Sequence, residues 1–193
     1  MQDFVVEKLK ELEKTSKEFW NIPPETGNLL NMFIKMAGYK TVLEVGTSNG
    51  YSAIWQADAL KETGGHMVSI EFYEKRIIPA MENLKYCKLD EYVTIKQGSA
   101  KEVISKLCAE DFKTEKKEQY LDMAFIDACK GEYIDYFNLI HPILRKGGLL
   151  VADNVISHKK SLSDFLELIH NHEDYQHSYI EYGGGALIAL KIR

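Results

Sequence analysis

Short apolar runs alternate with helical stretches along most of this chain, and that alternation restricts the fold more than any other feature. Thr41 to Val45, His66 to Ile70, Tyr92 to Lys96, Leu121 to Ile126 and Gly148 to Ala152 read as strands. Tyr51 to Lys61, Glu74 to Lys88, Ala100 to Cys108, Tyr133 to Leu144 and Leu162 to His170 read as the helices that follow them. Repeated β-α units predict a mainly parallel sheet with helices on both faces. The ending differs. Tyr175 to Tyr182 and Ala186 to Ile192 also read as strands, but only Gly183-Gly184-Gly185 separates them. They predict an antiparallel hairpin, and with it a seven-stranded, mostly parallel α/β sheet.

The chain has 193 residues, which makes one domain the default. Residues 1–38 are expected to add N-terminal helices to a core at 39–193. In the first helix, Phe4, Leu9 and Leu12, with Val5 and Lys8 between them, form an apolar stripe without an evident partner in the β-α units. It is expected near an acceptor mouth or in a homodimer interface. Pro24 is placed to start a second helix that Gly38 ends after Met36. Pro79 is expected to kink its helix, and Lys113 to Gln119 reads as an exposed loop.

Two strand ends carry the chemistry. The run Leu121 to Ile126 stops at Asp127-Ala128-Cys129-Lys130, and the run Gly148 to Ala152 stops at Asp153-Asn154. Ligands of open α/β sheets bind beyond the carboxyl ends of the strands. Two carboxylates and an amide oxygen there suit a hard cation, Mg²⁺ or else Mn²⁺ or Ca²⁺. Lys130 reaches the same place as a proton acceptor or a charge. As helix caps alone, Asp127 and Asp153 would need no cation.

The first strand runs into Glu44-Val45-Gly46-Thr47-Ser48-Asn49-Gly50-Tyr51-Ser52. Its glycines allow a tight turn close to a ligand. Neither a dinucleotide G-x-G-x-x-G nor a phosphate-binding loop lysine is present. Glu44 would repel a pyrophosphate and attract an ammonium. Glu71, after the second strand, suits both hydroxyls of a ribose. A nucleoside with a cationic amino-acid tail fits this pair, as in S-adenosylmethionine.

VLEVGTSNGYSAIW (Val42 to Trp55) resembles motif I of the class I methyltransferases, which have a Rossmann-like fold. Together with FIDACKGEY (Phe125 to Tyr133) and KGGLLVADNV (Lys146 to Val155), it resembles the cation-dependent O-methyltransferases, the group of catechol and caffeoyl-CoA O-methyltransferases. The resemblance runs from about Ile22 to the C-terminus. It implies metal ligation by Asp127, Asp153 and Asn154, and catalysis by Lys130. It implies ribose binding by Glu71 and a turn at the adenine from Gly98, Ser99 and Ala100. Glu44, Gly46 and Thr47 fall in the motif that cradles the methionine tail, Ser52 follows it, and Asp127 is expected near the cofactor's amino group. Relatives are commonly dimers, so a homodimer is expected.

A hydroxyl attacks the sulfonium methyl once it has lost its proton. A neighbouring cation would favour that loss and would also favour the neutral form of Lys130, letting it accept the proton.

The acceptor is less constrained. Only VISHKKS separates Asn154 from the last helix, shorter than in plant and animal relatives, which implies an open site. A catechol-like small molecule is the leading acceptor. The alternative is the wobble 5-hydroxyuridine of tRNA, because DACKGEY is close to the DAAKGQY of bacterial tRNA methyltransferases, and His158, Lys159 and Lys160 are placed to meet phosphates. A net charge of −5 and pI near 5.7 weigh against a broad nucleic-acid footprint. A non-catalytic binding module is disfavoured, since metal ligands, lysine and ribose acid are retained together. No apolar run is long enough to cross a membrane, and Cys87, Cys108 and Cys129 lack metal-site spacing. Free buried thiols and a cytoplasmic location are expected.

Overall fold

The computed structural model describes residues 1–113 and 120–193. The polar stretch 114–119 lies outside the described residues, and Lys113 ends a helix rather than opening a loop. The helices are α1 (Asp3–Glu13), α2 (Ser16–Phe19), α3 (Pro24–Ala37), α4 (Tyr51–Thr63), α5 (Glu74–Tyr86), α6 (Ala100–Lys113), α7 (Tyr133–Ile140) and α8 (Ser163–Asn171). The strands are β1 (Thr41–Val45), β2 (His66–Glu71), β3 (Val93–Gln97), β4 (Leu121–Ile126), β5 (Leu144–Asp153), β6 (Tyr175–Ile180) and β7 (Ala186–Lys191). They form one seven-stranded sheet in the order β3-β2-β1-β4-β5-β7-β6. The β1-β2, β2-β3 and β4-β5 pairs are parallel, and β7 runs antiparallel to both β5 and β6. The terminal hairpin therefore inserts its second strand beside β5 and leaves β6 at the edge.

By its contacts the chain divides into two units, Met1–Gly98 and Ser99–Arg193. In the first, α4 carries little amphipathic pattern because it is buried nearly all round. Tyr51, Ala53, Ile54, Ala57, Ala59 and Leu60 are enclosed, and it packs on α1, α3, α5 and β2. Helix α1 thus has a partner within the β-α units, contrary to expectation. Val5, Leu9 and Leu12 are buried, and Phe4 instead lies edge-on to Tyr86. Helix α5 runs through Pro79 from Glu74 to Tyr86. The sequence pattern also missed α2, one turn that ends at Trp20 in the left-handed conformation.

In the second unit, α7 stops at Ile140 and β5 starts at Leu144, earlier than the apolar run suggested. The β4-β5 register jumps from Leu121↔Leu144 to Met123↔Leu149, so residues of the Arg145–Gly148 stretch bulge out. Arg145 uses that bulge to pair with Asp122. Of the cysteines only Cys87 is buried; Cys129 is exposed. No helix among the described residues is long and apolar enough to cross a membrane.

Candidate active site

In the first unit, the turn between β1 and α4 is held by buried acids. Glu44 is fully enclosed. Its Oε1 accepts from Ser52 Oγ and Gln56 Nε2, both at 2.7 Å, and its Oε2 accepts from Ser69 Oγ at 2.5 Å. The carboxylate is thus gripped by side chains of α4 and β2. Its charge is met by internal donors that include these side chains, which makes it an anchor for the turn. Ser52 belongs to the same internal set. Thr47 is also enclosed, with its hydroxyl 2.5 Å from that of Ser69.

The Gly46 N–H bonds Ile70 O at 2.9 Å, closing the turn against β2. Glu71, only 5% exposed, accepts the Ser48 N–H on Oε2 and the Tyr73 N–H on Oε1, each at 2.8 Å. One carboxylate thus ties the two loops that follow β1 and β2. It retains acceptor capacity for hydroxyls, since an ionised carboxylate has about four lone-pair sites. Gly98 donates its N–H to Glu71 O at 3.0 Å, so the turn after β3 is fixed to the same strand end. Ser99 is half-buried and Ala100 buried at the start of α6.

The second unit brings together the other predicted residues. Lys130 Nζ donates to Asp127 Oδ1 at 2.9 Å, with each side chain about four-fifths buried. Asp153 is 2% exposed. Its Oδ2 accepts the Asn154 side-chain amide at 2.9 Å, while its Oδ1 is buried without any partner. Burial, joined by the charge of Asp127, pushes the Asp153 carboxyl up to about 7; the Asn154 N–H and Lys130 act against this. An orphaned buried carboxylate oxygen beside a second carboxylate is an energetic fault in the protein alone. A cation removes it by supplying the missing positive partner. Asp127, Asp153 and the Asn154 amide oxygen are an all-oxygen donor set, so the residues present fit Mg²⁺ or a similar hard ion.

Two supports escaped sequence reasoning. Tyr133 is buried, and its hydroxyl lies 3.3 Å from Ile126 O and 3.1 Å from Asp153 O, joining the ends of β4 and β5. Lys130 Nζ lies 5.4 Å from the centre of that ring. Three residues after Lys130, one turn on, was the available signal. The other support is the triple-glycine hairpin. The N–H groups of Val155, Ile156 and Ser157 bond the carbonyls of Gly185 and Gly184. A Cβ on Gly184 would come within 2.7 Å of Asn154 Nδ2. Gly184 and Gly185 thus seat the Asp153-Asn154 turn by close approach.

The sequence model of the O-methyltransferase family matches residues 2–172. The chain belongs to the O-methyltransferase family. Catechol O-methyltransferase of Niastella koreensis is 34% identical over 144 residues, covering 75% of this chain and 62% of that protein. Caffeoyl-CoA O-methyltransferase 2 of Zea mays is 31% identical over 156 residues, covering 78% of this chain and 56% of that protein. The aligned part of the chain therefore spans less than two thirds of these relatives' length. Among solved structures, the O-methyltransferase of Bacillus cereus in complex with SAH superposes with TM-score 0.81 at 25% identity, covering 99% of this chain and 92% of that one. TomG of Streptomyces achromogenes, an O-methyltransferase in complex with SAM, superposes with TM-score 0.84 at 24% identity, covering 100% and 92%, and shares the fold.

Proposed function

We propose that the protein is an S-adenosylmethionine- and divalent-cation-dependent O-methyltransferase acting on a catechol-like small molecule. The observation that carries this reading is the orphaned Asp153 Oδ1, buried beside Asp127 and Lys130 in a chain of this family. Glu71 would hold the ribose hydroxyls, with the backbone of Gly46 to Ser48 at the amino-acid tail and Gly98 to Ala100 beside the adenine. Asp127 would serve both the cation and the cofactor's ammonium. Asp127, Asp153 and Asn154 would hold the cation, which when bound supplies charge that favours ionisation of an acceptor hydroxyl. Lys130 Nζ would take that hydroxyl's proton. Asp127 fixes Lys130, and Tyr133 fixes the strand ends on which both carboxylates stand.

Support for a small phenolic acceptor comes from the relatives, which are named for catechol and caffeoyl-CoA and not for RNA. His158, Lys159 and Lys160 are exposed on the turn after Asn154, where a tRNA backbone would meet them. The test is transfer of a labelled methyl group to catechol, caffeoyl-CoA and undermodified tRNA, each with Mg²⁺ and with EDTA. The reading expects Mg²⁺-dependent labelling of the catechol. Full activity in EDTA, or labelling of tRNA alone, would overturn it. A homodimer is part of the same proposal, and a monomer by light scattering at micromolar concentration would remove it.

A further inference from the structure

The second unit holds another group of ligating side chains, which methyl transfer does not use. His141 caps the C-terminus of α7, His172 caps that of α8, and Asp174 stands just before β6. One ligand atom from each lies within 4.8 Å of the others. His141 Nε2 is 3.7 Å from Asp174 Oδ2, and the two imidazole centres are 4.9 Å apart. We propose that His141, His172 and Asp174 form a second cation site, for Zn²⁺ or a similar borderline transition-metal ion.

The donor chemistry separates this site from the first. Two imidazoles and a carboxylate are the nitrogen-rich set that zinc-type ions take, whereas Mg²⁺ prefers oxygen alone. Three protein ligands leave a position for water. The surroundings hold the rings in place. His141 Nδ1 lies 3.1 Å from the Tyr175 hydroxyl, which can accept an Nδ1–H and leave the Nε2 lone pair on the Asp174 side. Ligating histidines are oriented in this way by a bond to their second nitrogen. His172 Nδ1 accepts the Asp174 N–H at 3.2 Å, a long bond with which a cation competes. The buried Phe137 ring stacks on His141 at 5.4 Å and meets His172 edge-on at 5.5 Å, closing one side against water. Lys191, the nearby cation, is engaged by the carbonyls of His141 and Leu144 at 2.7 and 2.9 Å.

The three ligands come from the ends of two helices and from the residue that precedes the edge strand of the sheet. A metal here would cross-link α7 and α8 to β6. Its effect is expected on stability rather than on turnover.

The experiment uses full-length protein freed of any affinity tag and of adventitious metal. Zn²⁺ binding is measured by calorimetry, and Co²⁺ binding by its visible absorption, with Mg²⁺ saturating the oxygen site. Wild type should bind one equivalent and show a rise in Tm. His172→Gln and Asp174→Asn should each weaken Zn²⁺ at least tenfold and abolish the rise in Tm, while Mg²⁺ binding persists. Asp153→Asn should do the reverse. His170→Gln is the necessary control, because His170 Nδ1 and His177 Nε2 stand only 3.4 Å apart on the exposed face. Circular dichroism of each variant confirms that it folds. No Zn²⁺ binding by wild type would overturn the proposal. So would binding that survives both His172→Gln and Asp174→Asn, or binding lost in His170→Gln alone.

Discussion

Lys130 and Asp127 share one contact, and how that contact is used decides the role of the lysine. Lys130 Nζ sits 2.9 Å from an oxygen that is also a proposed cation ligand. If Nζ accepts the acceptor's proton, Lys130→Ala should cut turnover by about 10²–10⁴ and leave Mg²⁺ and cofactor binding in place. Lys130→Arg should be just as inactive, because a guanidinium does not give up its proton. An active Lys130→Arg enzyme would show that a fixed charge suffices. Asp153 makes a separate prediction for the metal-free protein. Its carboxyl is held near 7 in the folded state against an ordinary value of 3.8, so the unfolded chain releases this proton first. As pH rises between those values the unfolded state binds fewer protons than the folded one, and stability is lost. The Asp153→Asn variant stays neutral at this position. It should match wild type near pH 4 and be the more stable of the two at pH 8, measured by urea unfolding in EDTA. Saturating Mg²⁺ should remove that advantage. Equal stability at both pH values would show that Asp153 is not strained.

Contacts between elements depend on glycines whose purpose is steric. Gly27 lies in the first turn of α3, where glycine weakens a helix by about 0.5–1 kcal/mol relative to alanine. A Cβ there would come within 2.4 Å of the Trp55 ring on α4, so the helix gives up propensity in exchange for close packing. Gly27→Ala should therefore destabilise, by about 1–3 kcal/mol, as overpacked cores do. A raised Tm would show that the ring moves aside freely. Gly184→Ala probes the site instead. The new methyl would push on Asn154 Nδ2 and should weaken Mg²⁺ binding more than it lowers Tm; unchanged Mg²⁺ affinity would show that the hairpin does not seat the turn. Legibility in the sequence followed the same physics. β1, β2 and β4 were readable because parallel strands buried on both faces are mostly apolar, here interrupted only by Glu44, Ser69 and Asp122 within the runs. The start of β5 was not, because Leu144 to Lys146 hides a bulge in polar residues. Nor was the partner of α1, since α4 is buried nearly all round and its mixed sequence gives no sign of which face receives it.

At the scale of the whole molecule, the strand-end acids Glu71, Asp127 and Asp153 were legible because each follows an apolar run directly. The bonds of Glu44 to Gln56 and Ser69 were not, because those partners lie on other elements and carry no local pattern. The insertion of β7 between β5 and β6 was equally hidden, since a hairpin fixes only its internal pairing. The proposed nucleoside acid Glu71 belongs to Met1–Gly98, and the proposed cation ligands Asp153 and Asn154 belong to Ser99–Arg193. The two bindings should therefore be separable by mutation. Glu71→Ala removes an acceptor of charge-assisted bonds, each contributing roughly 1.5–3 kcal/mol, and should weaken S-adenosylmethionine at least tenfold with Mg²⁺ affinity nearly unchanged. Asp153→Ala should abolish Mg²⁺ binding and turnover with cofactor affinity largely kept. Calorimetry with each ligand on each variant reads all four affinities. Loss of both ligands in either variant would mean that the acid holds the fold rather than one ligand. Cofactor affinity untouched by Glu71→Ala would mean that its carboxylate serves only the Ser48 and Tyr73 N–H groups.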